Sequence, residues 1–334
     1  MPNKTKIDQL EFLFNNIHII GLGLIGGSLA YACKKHNIAR SIFGFDIDQS
    51  QIDFAIAKKI IDEQYNFNQK ISNDDLVIIC TPLSSYEQIF KKLLPLLGDQ
   101  TLIIDVGSLK DFTLPLAEKI LLEKAKNFVA CHPIAGSEKS GVINSNKDLF
   151  SGKKTIICPS KINEQSTIKK IEFFWHKLGL SVEFLDSIEH DKIFALVSHL
   201  PQFLAFIAQE NFENGDDETL NKHFRLQNSN PKIWQEIFGL NRKNIEHYLQ
   251  LYLQNIDKFL KDFPDQNGLI FRRMALVSCF LNLPDTKKFQ TFAGSGLKDF
   301  TAIVDHPQKF DPNSQSLTQF LNQIKSKIIN YEFK

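Results

Sequence analysis

The chain has 334 residues, more than one typical hydrophobic core accommodates and enough for two domains. Apolar residues make up 43% and charged residues 23%, an ordinary globular balance. Lys and Arg total 39 against 38 Asp and Glu, a formal net charge of +1, so the basic excess that a nucleic-acid partner demands is missing.

In chain order, Ile17–Ile20 reads as a compact strand, followed by a Gly-rich turn and a helix to about His36. Ser41–Phe45 is a second strand and Asp48–Lys59 a helix. Leu76–Cys80 and Thr101–Val106 are further strands, with the amphipathic stretch Tyr86–Leu97 between them. Phe128–Cys131 and Thr155–Cys158 continue the strand pattern, and Val182–Leu185 closes it. Strand–helix alternation of this kind predicts a parallel, doubly wound sheet. Near Asp186 the character changes. His190–Glu210, Pro231–Asp262 and Gln266–Leu281 place apolar residues at three- and four-residue spacing, with polar turns at Glu213–Thr219 and Asn282–Lys288. The expected architecture is therefore α/β: a Rossmann-like doubly wound parallel sheet over residues 1–186, then an all-helical domain over 187–334. Phe194–Leu200 and Met274–Phe280 are faintly alike, which chance matching of short apolar helices explains.

The polar start, Met1–Leu10, lacks the apolar core of a signal peptide, and no apolar run approaches the roughly 20 residues of a bilayer span. The five cysteines, Cys33, Cys80, Cys131, Cys158 and Cys279, are scattered without a C-x-x-C pair. That pattern argues against a metal site or a disulfide framework and fits a cytoplasmic protein without membrane association.

After the first strand comes Gly21-Leu-Gly23-Leu24-Ile25-Gly26-Gly27-Ser28. Gly21 permits a tight turn, Gly23 lets backbone approach a pyrophosphate, and Gly26 allows close helix–strand packing. The helix N-terminus, carrying Leu24 and Ile25, offers N–H groups and a positive dipole end to phosphates. Asp46, 25 positions after Gly21, lies at the end of the second strand, near the expected spacing of about 20. Its carboxylate suits ribose hydroxyls and repels a 2′-phosphate, favouring NAD over NADP, although nearby Arg40 offers a charge of the opposite preference. Thr81-Pro82 follows another strand, either as a ligand-edge loop or as a simple strand terminator.

Two later segments also follow strands: Asp105-Val-Gly-Ser108-Leu-Lys110 and His132-Pro-Ile-Ala-Gly136-Ser137-Glu138-Lys139-Ser140-Gly141. A lone histidine is more often structural. At a strand end, followed by small polar residues, His132 is placed for accepting a hydroxyl proton as hydride leaves.

These segments, with Ser198-His199-Leu200-Pro201 and Pro231–Asn241, occur in the order found in the prephenate/arogenate (cyclohexadienyl) dehydrogenases of tyrosine biosynthesis, which the chain resembles over most of residues 17–260. HPIAGSEKSG carries the most specificity. The resemblance implies NAD-dependent oxidative decarboxylation of prephenate to 4-hydroxyphenylpyruvate, or of arogenate to tyrosine, by a homodimer joined through its helical domain. It further implies that His132 accepts the ring-hydroxyl proton and that Ser108 orients that hydroxyl and the nicotinamide. Ser137 and Glu138 would border the substrate, and His199 would lie nearby.

Two departures stand out. Gln202 occupies the position where the family usually has a second His after SHLP. The family's arginine motif ahead of P-x-x-W is also altered: alignment from Pro231 and Trp234 puts Arg225 in the carboxylate-binding position, without the motif's Asp and Thr. A fuller version, Gly296-Leu-Lys298-Asp299-Phe-Thr301, lies downstream and ends in Ala302, which makes Lys298 a supplementary cation. Arg225 as a solvated helix-end charge is nearly as good a reading. Two other functions stay open: a different NAD-dependent hydroxyacid dehydrogenase using Lys192, or a non-catalytic NAD-binding relative.

Overall fold

The computed structural model describes residues 12–137, 139–211 and 229–262. It divides into two compact units, Met1–Asp191 and Lys192–Lys334. The predicted helix Gln266–Leu281, both predicted polar turns of the second half, and Glu138, Arg225 and Lys298 lie outside the described residues.

The first unit is built on one eight-stranded sheet in the order β3-β2-β1-β4-β5-β6-β7-β8. The strands are β1 (Phe14–Ile20), β2 (Ala39–Phe45), β3 (Glu63–Gln64), β4 (Leu76–Ile79), β5 (Leu102–Asp105), β6 (Phe128–Pro133), β7 (Lys154–Cys158) and β8 (Ser181–Phe184). β4 and β5 are buried at every position, as strands covered on both faces must be. The helices α1 (Leu24–Lys35), α2 (Gln49–Ala57), α3 (Tyr86–Leu93), α4 (Lys110–Leu121) and α5 (Gln165–Lys177) alternate with the strands. The core runs from Phe14, Ile17 and Ile19 of β1 through Ile78 and Ile104 to Phe174 and Trp175 of α5. Strand order reverses between β1 and β4, the switch point at whose carboxyl edge doubly wound sheets bind ligands.

Two features depart from the sequence reading. The helices α4 and α5 appear where it assigned no element. The sheet is also not wholly parallel: β1 to β6 run parallel, β7 pairs antiparallel with β6, and β8 follows β7 in parallel. An antiparallel neighbour needs no helical crossover. Residues 134–153 are therefore a loop turning back at the carboxyl edge, and the segment that begins at His132 stays there.

The second unit is helical where described. The helix α6 (Ser187–Phe194) straddles the division and runs into a π-helical segment, Ala195–His199, then α7 (Leu200–Asn211); Pro231–Leu240 and Arg242–Asp262 are two more helices. Pro201 has no N–H for the ladder at the start of α7, a usual cause of local register change in a continuous helix. Leu200, Phe203, Leu204 and Ile207 pack with Phe238, Ile245 and Leu249 in this unit's own core. Among the described residues no helix is long and apolar enough to cross a membrane.

Candidate active site

The three glycines meet three distinct geometric demands. Gly21 has φ +102°, and a Cβ there would fall 2.7 Å from the Cys80 carbonyl oxygen. A Cβ on Gly26 would lie 1.9 Å from the Gly21 carbonyl oxygen, so helix and turn meet only through glycine. Gly23 is different: nothing lies within 4 Å of its would-be Cβ, which opens this face to an incoming group. Gly23 is also the N-cap of α1 and supplies no side-chain hydrogen bond. By contrast α2 is capped by Asp48, whose side chain accepts from the Ser50 amide. The first-turn amides of α1 thus keep their capacity for an anion, and residues 21–26 fit a dinucleotide pyrophosphate.

Asp46 is tied to this loop directly. Its Oδ2 accepts from the Leu22 amide at 2.7 Å and its Oδ1 from the Asp48 amide at 3.0 Å. A carboxylate has about four acceptor sites, so two amides leave capacity for ribose hydroxyls. Arg40 does not compete. It sits at the other end of β2, six strand steps or about 20 Å away, with its guanidinium 5.9 Å from the Phe12 ring centroid. The expectation that Arg40 bears on the cofactor's 2′-position is therefore corrected. Thr81 and Pro82 follow β4 at the same edge, with Thr81 Oγ1 accepting from Ser85 Oγ at 2.7 Å.

Ser108 is half-buried in the turn between β5 and α4, and His132 is half-buried in β6 one residue before its end. The backbone beneath His132 is fixed by a buried ion pair, Lys110 with Asp105 at 2.6 Å, both side chains wholly inaccessible. Lys110 Nζ donates to the Cys131 carbonyl at 2.7 Å, while Asp105 Oδ1 accepts from the Cys131 amide at 3.1 Å. Asp105 Oδ2 also accepts from Tyr86 Oη and the Gly107 amide, both at 3.1 Å. Burial and this carboxylate push the Tyr86 hydroxyl well above its ordinary pKa, so it stays a donor. Ser137 is exposed in the following loop, where its Oγ accepts from the Lys139 amide at 3.2 Å. The loop is moored to the nucleotide-loop side: Gln51 Oε1 accepts from the Val142 amide at 2.8 Å and the buried Ser28 Oγ from the Asn146 amide at 2.9 Å.

Sequence reasoning missed two residues. His132 Nδ1 lies 2.9 Å from His190 Nε2, and His190 Nδ1 lies 2.7 Å from Asp191 Oδ1. Asp191 Oδ1 accepts from the Lys110 amide at 2.9 Å and Oδ2 from the Asp111 amide at 3.0 Å, capping α4 from 80 residues away in sequence. The adjacent His190-Asp191 pair was the available signal. Lys192, two positions on, is exposed in α6.

In the second unit, His199 and Gln202 are both buried. The Asn241 side-chain amide lies 3.0 Å from His199 Nδ1, and Asn241 Oδ1 accepts from Asn244 Nδ2 at 2.8 Å. With the amide nitrogen turned to the ring, Nδ1 is the acceptor and Nε2 carries the proton.

Residues 29–184 match the family model of the prephenate dehydrogenase nucleotide-binding domain, and residues 186–268 that of the prephenate dehydrogenase dimerization domain. The chain is 28% identical over 256 residues to the prephenate dehydrogenase of Bacillus subtilis, covering 73% of this chain and 69% of that one. It is 26% identical over 270 residues to the cyclohexadienyl dehydrogenase of Zymomonas mobilis, covering 77% of this chain and 91% of that one. The structure of prephenate dehydrogenase from A. aeolicus in complex with hydroxyphenyl propionate and NAD+ superposes with a TM-score of 0.69 at 28% identity, over 85% of this chain and all (100%) of that one.

Proposed function

This chain belongs to the prephenate dehydrogenase family, and from that premise we propose that it oxidises and decarboxylates prephenate, or the related arogenate, with NAD. The observation that carries the reading is the placement of His132 and the glycine loop at one carboxyl edge of a single sheet.

NAD, when bound, supplies the hydride acceptor. The open face at Gly23 and the first-turn amides of α1 hold the pyrophosphate, and Asp46 takes the adenosine ribose hydroxyls. His132 Nε2 accepts the proton of the ring hydroxyl, and Ser108 orients that hydroxyl. As the O–H bond breaks, the C–H electron pair leaves as hydride and the carbinol carbon becomes a carbonyl. The bond from the ring to its carboxylate then breaks. Its electron pair enters the ring, CO2 departs, and the phenolate oxygen takes back the proton held at His132 Nε2, leaving a phenol: 4-hydroxyphenylpyruvate from prephenate, tyrosine from arogenate.

Ser137, Glu138, His199 and Gln202 are the further substrate-binding residues of this reading. Arg225 pairs with a substrate carboxylate, with Lys298 as a supplementary cation. Two copies associate through the helical half. The name of the matched dimerization domain supports this, as do the exposed Leu196, Val197, Ile233 and Leu240 of the second unit. Light scattering should give twice 38.3 kDa, and a monomer at micromolar concentration would refute it. Residence in the cytoplasm belongs to the same proposal, supported by free thiols at Cys33, Cys80, Cys131 and Cys158.

The test is NADH absorbance on adding prephenate or arogenate to protein and NAD, with the two initial rates ranking the substrates. NAD binding without reduction by either would defeat the proposal. Arg225→Ala should raise KM about ten- to a hundredfold, the scale of a lost charge-assisted carboxylate contact; an unchanged KM would remove Arg225 from the site.

A further inference from the structure

The chain of contacts behind His132 fixes where its proton sits. Asp191 receives the Lys110 and Asp111 amides, and a carboxylate only accepts. Its third bond, to His190 Nδ1 at 2.7 Å, therefore requires the hydrogen on that nitrogen. His190 is fully buried. Burial, helped by Lys110, holds its pKa below the ordinary 6.5 against the opposing pull of its Asp191 bond and of Asp105, so near neutral pH it carries one ring proton. That proton is on Nδ1, and Nε2 holds the lone pair. The 2.9 Å contact with His132 Nδ1 then requires a hydrogen on His132 Nδ1, which leaves the lone pair of His132 on Nε2.

We infer that His190 and Asp191 are positioning residues that set the tautomer of His132, so that its basic nitrogen is Nε2. The inference deepens the proposed activity and, for its catalytic consequence, rests on it. When Nε2 takes a proton, Nδ1–H stays donated to His190, and Asp191 stabilises the imidazolium through that ring without becoming protonated. The other charged groups that act on His190, Lys110 and Asp105, are paired with each other. Hydrogen-bonded in this way, the His132 ring is also fixed in rotation.

The direct readout is the imidazole nitrogen NMR spectrum of the full chain carrying 15N-histidine, without substrate or cofactor. His132→Gln identifies the His132 signals. In the wild type His132 should be predominantly the Nδ1–H form. Asp191→Asn can turn an amide N–H toward His190 and reverse both tautomers; kcat should then drop about a hundredfold or more, with the prephenate KM within about threefold. His190→Gln still offers an oxygen to His132 and an N–H to Asp191, so it should keep most of the turnover that His190→Leu loses. If Asp191→Asn fails to fold for want of its α4 cap, the wild-type spectrum and the two His190 variants decide.

His132 found in the Nε2–H form, or His190→Leu within about threefold of wild-type kcat, would overturn the inference. A chain that shows the Nδ1–H form yet reduces no NAD with prephenate would uphold the tautomer while refuting the activity. Prephenate turnover with His132 in the Nε2–H form would do the reverse.

Discussion

Two buried histidine–aspartate pairs lie at opposite edges of one sheet. At the amino edge, His18 of β1 donates from Nε2 to Asp75 at 3.1 Å, just ahead of β4. Asp75 also accepts from the Asn16 and Ser72 amides and from Asn16 Nδ2. The ring of His18 stacks on Phe43 and meets Tyr65 edge-on, and its Nδ1 has no hydrogen-bond partner among the described residues. At the carboxyl edge, His190 and Asp191 have the same chemistry and similar burial, but the second nitrogen of His190 meets His132. A histidine–aspartate pair becomes part of a site when its outer nitrogen reaches a reacting group. Where that nitrogen meets no such group, as at His18, the pair ties two neighbouring strands together.

The strongest way to break this comparison is to substitute each edge's histidine. His132→Asn should lower kcat by about 10²- to 10⁴-fold, the range of a lost general base, with an unchanged thermal midpoint. Equal turnover in steady-state assays would remove His132 from the chemistry. Next in size is Lys110→Met, which strands the Asp105 carboxylate in the interior. Urea unfolding should show a loss of about 3–5 kcal/mol, and a loss under about 1 kcal/mol would mean Asp105 is not held charged there. His18→Leu should cost about 1–3 kcal/mol of stability and leave kcat unaltered. A fall in kcat comparable to that of His132→Asn would erase the distinction between the edges.

The smallest effect sharpens the contrast through pH. Burial, chiefly, depresses the folded-state pKa of His190, so the unfolded chain takes its proton first as pH falls through 6.5. Stability from this group is complete above 6.5 and is lost as pH falls from there to the folded value. For Asp75, burial raises the pKa, but bonds from His18, Ser72 and Asn16 outweigh it and hold the group below its ordinary 3.8. Its contribution is complete above 3.8 and is lost only as pH falls below that. Stability of the wild type minus that of His190→Gln, followed from pH 8 to 5, should decline below 6.5. A flat difference would contradict the depressed His190 value.

What the sequence made legible was local. Gly21, Gly23 and Gly26 announced their spacing and Asp46 its strand end, because steric need at a turn is written in adjacent residues. His132 was legible from the small polar loop behind it. The partners of His132 were not, since 58 residues separate it from His190 and a His-Asp step on a helix resembles any solvated face. Asp105 and Lys110 stand 5 positions apart in one segment, but spacing alone does not reveal that they bury as an ion pair. The antiparallel turn into β7 was in principle readable: no helical period separates Phe128–Cys131 from Thr155–Cys158, and a parallel neighbour would have needed a crossover. Arg40 seemed close to Asp46 only in count, since a strand spends six residues on about 20 Å.

Product stoichiometry tests the proposed reaction most directly. Purified protein, NAD and prephenate should yield NADH, CO2 and 4-hydroxyphenylpyruvate in equal amounts, with His132→Asn yielding none on the same timescale. NADH without CO2 would point to a plain alcohol oxidation at this site. No NADH from protein that binds NAD would contradict the assignment of His132 and its sheet edge to this reaction.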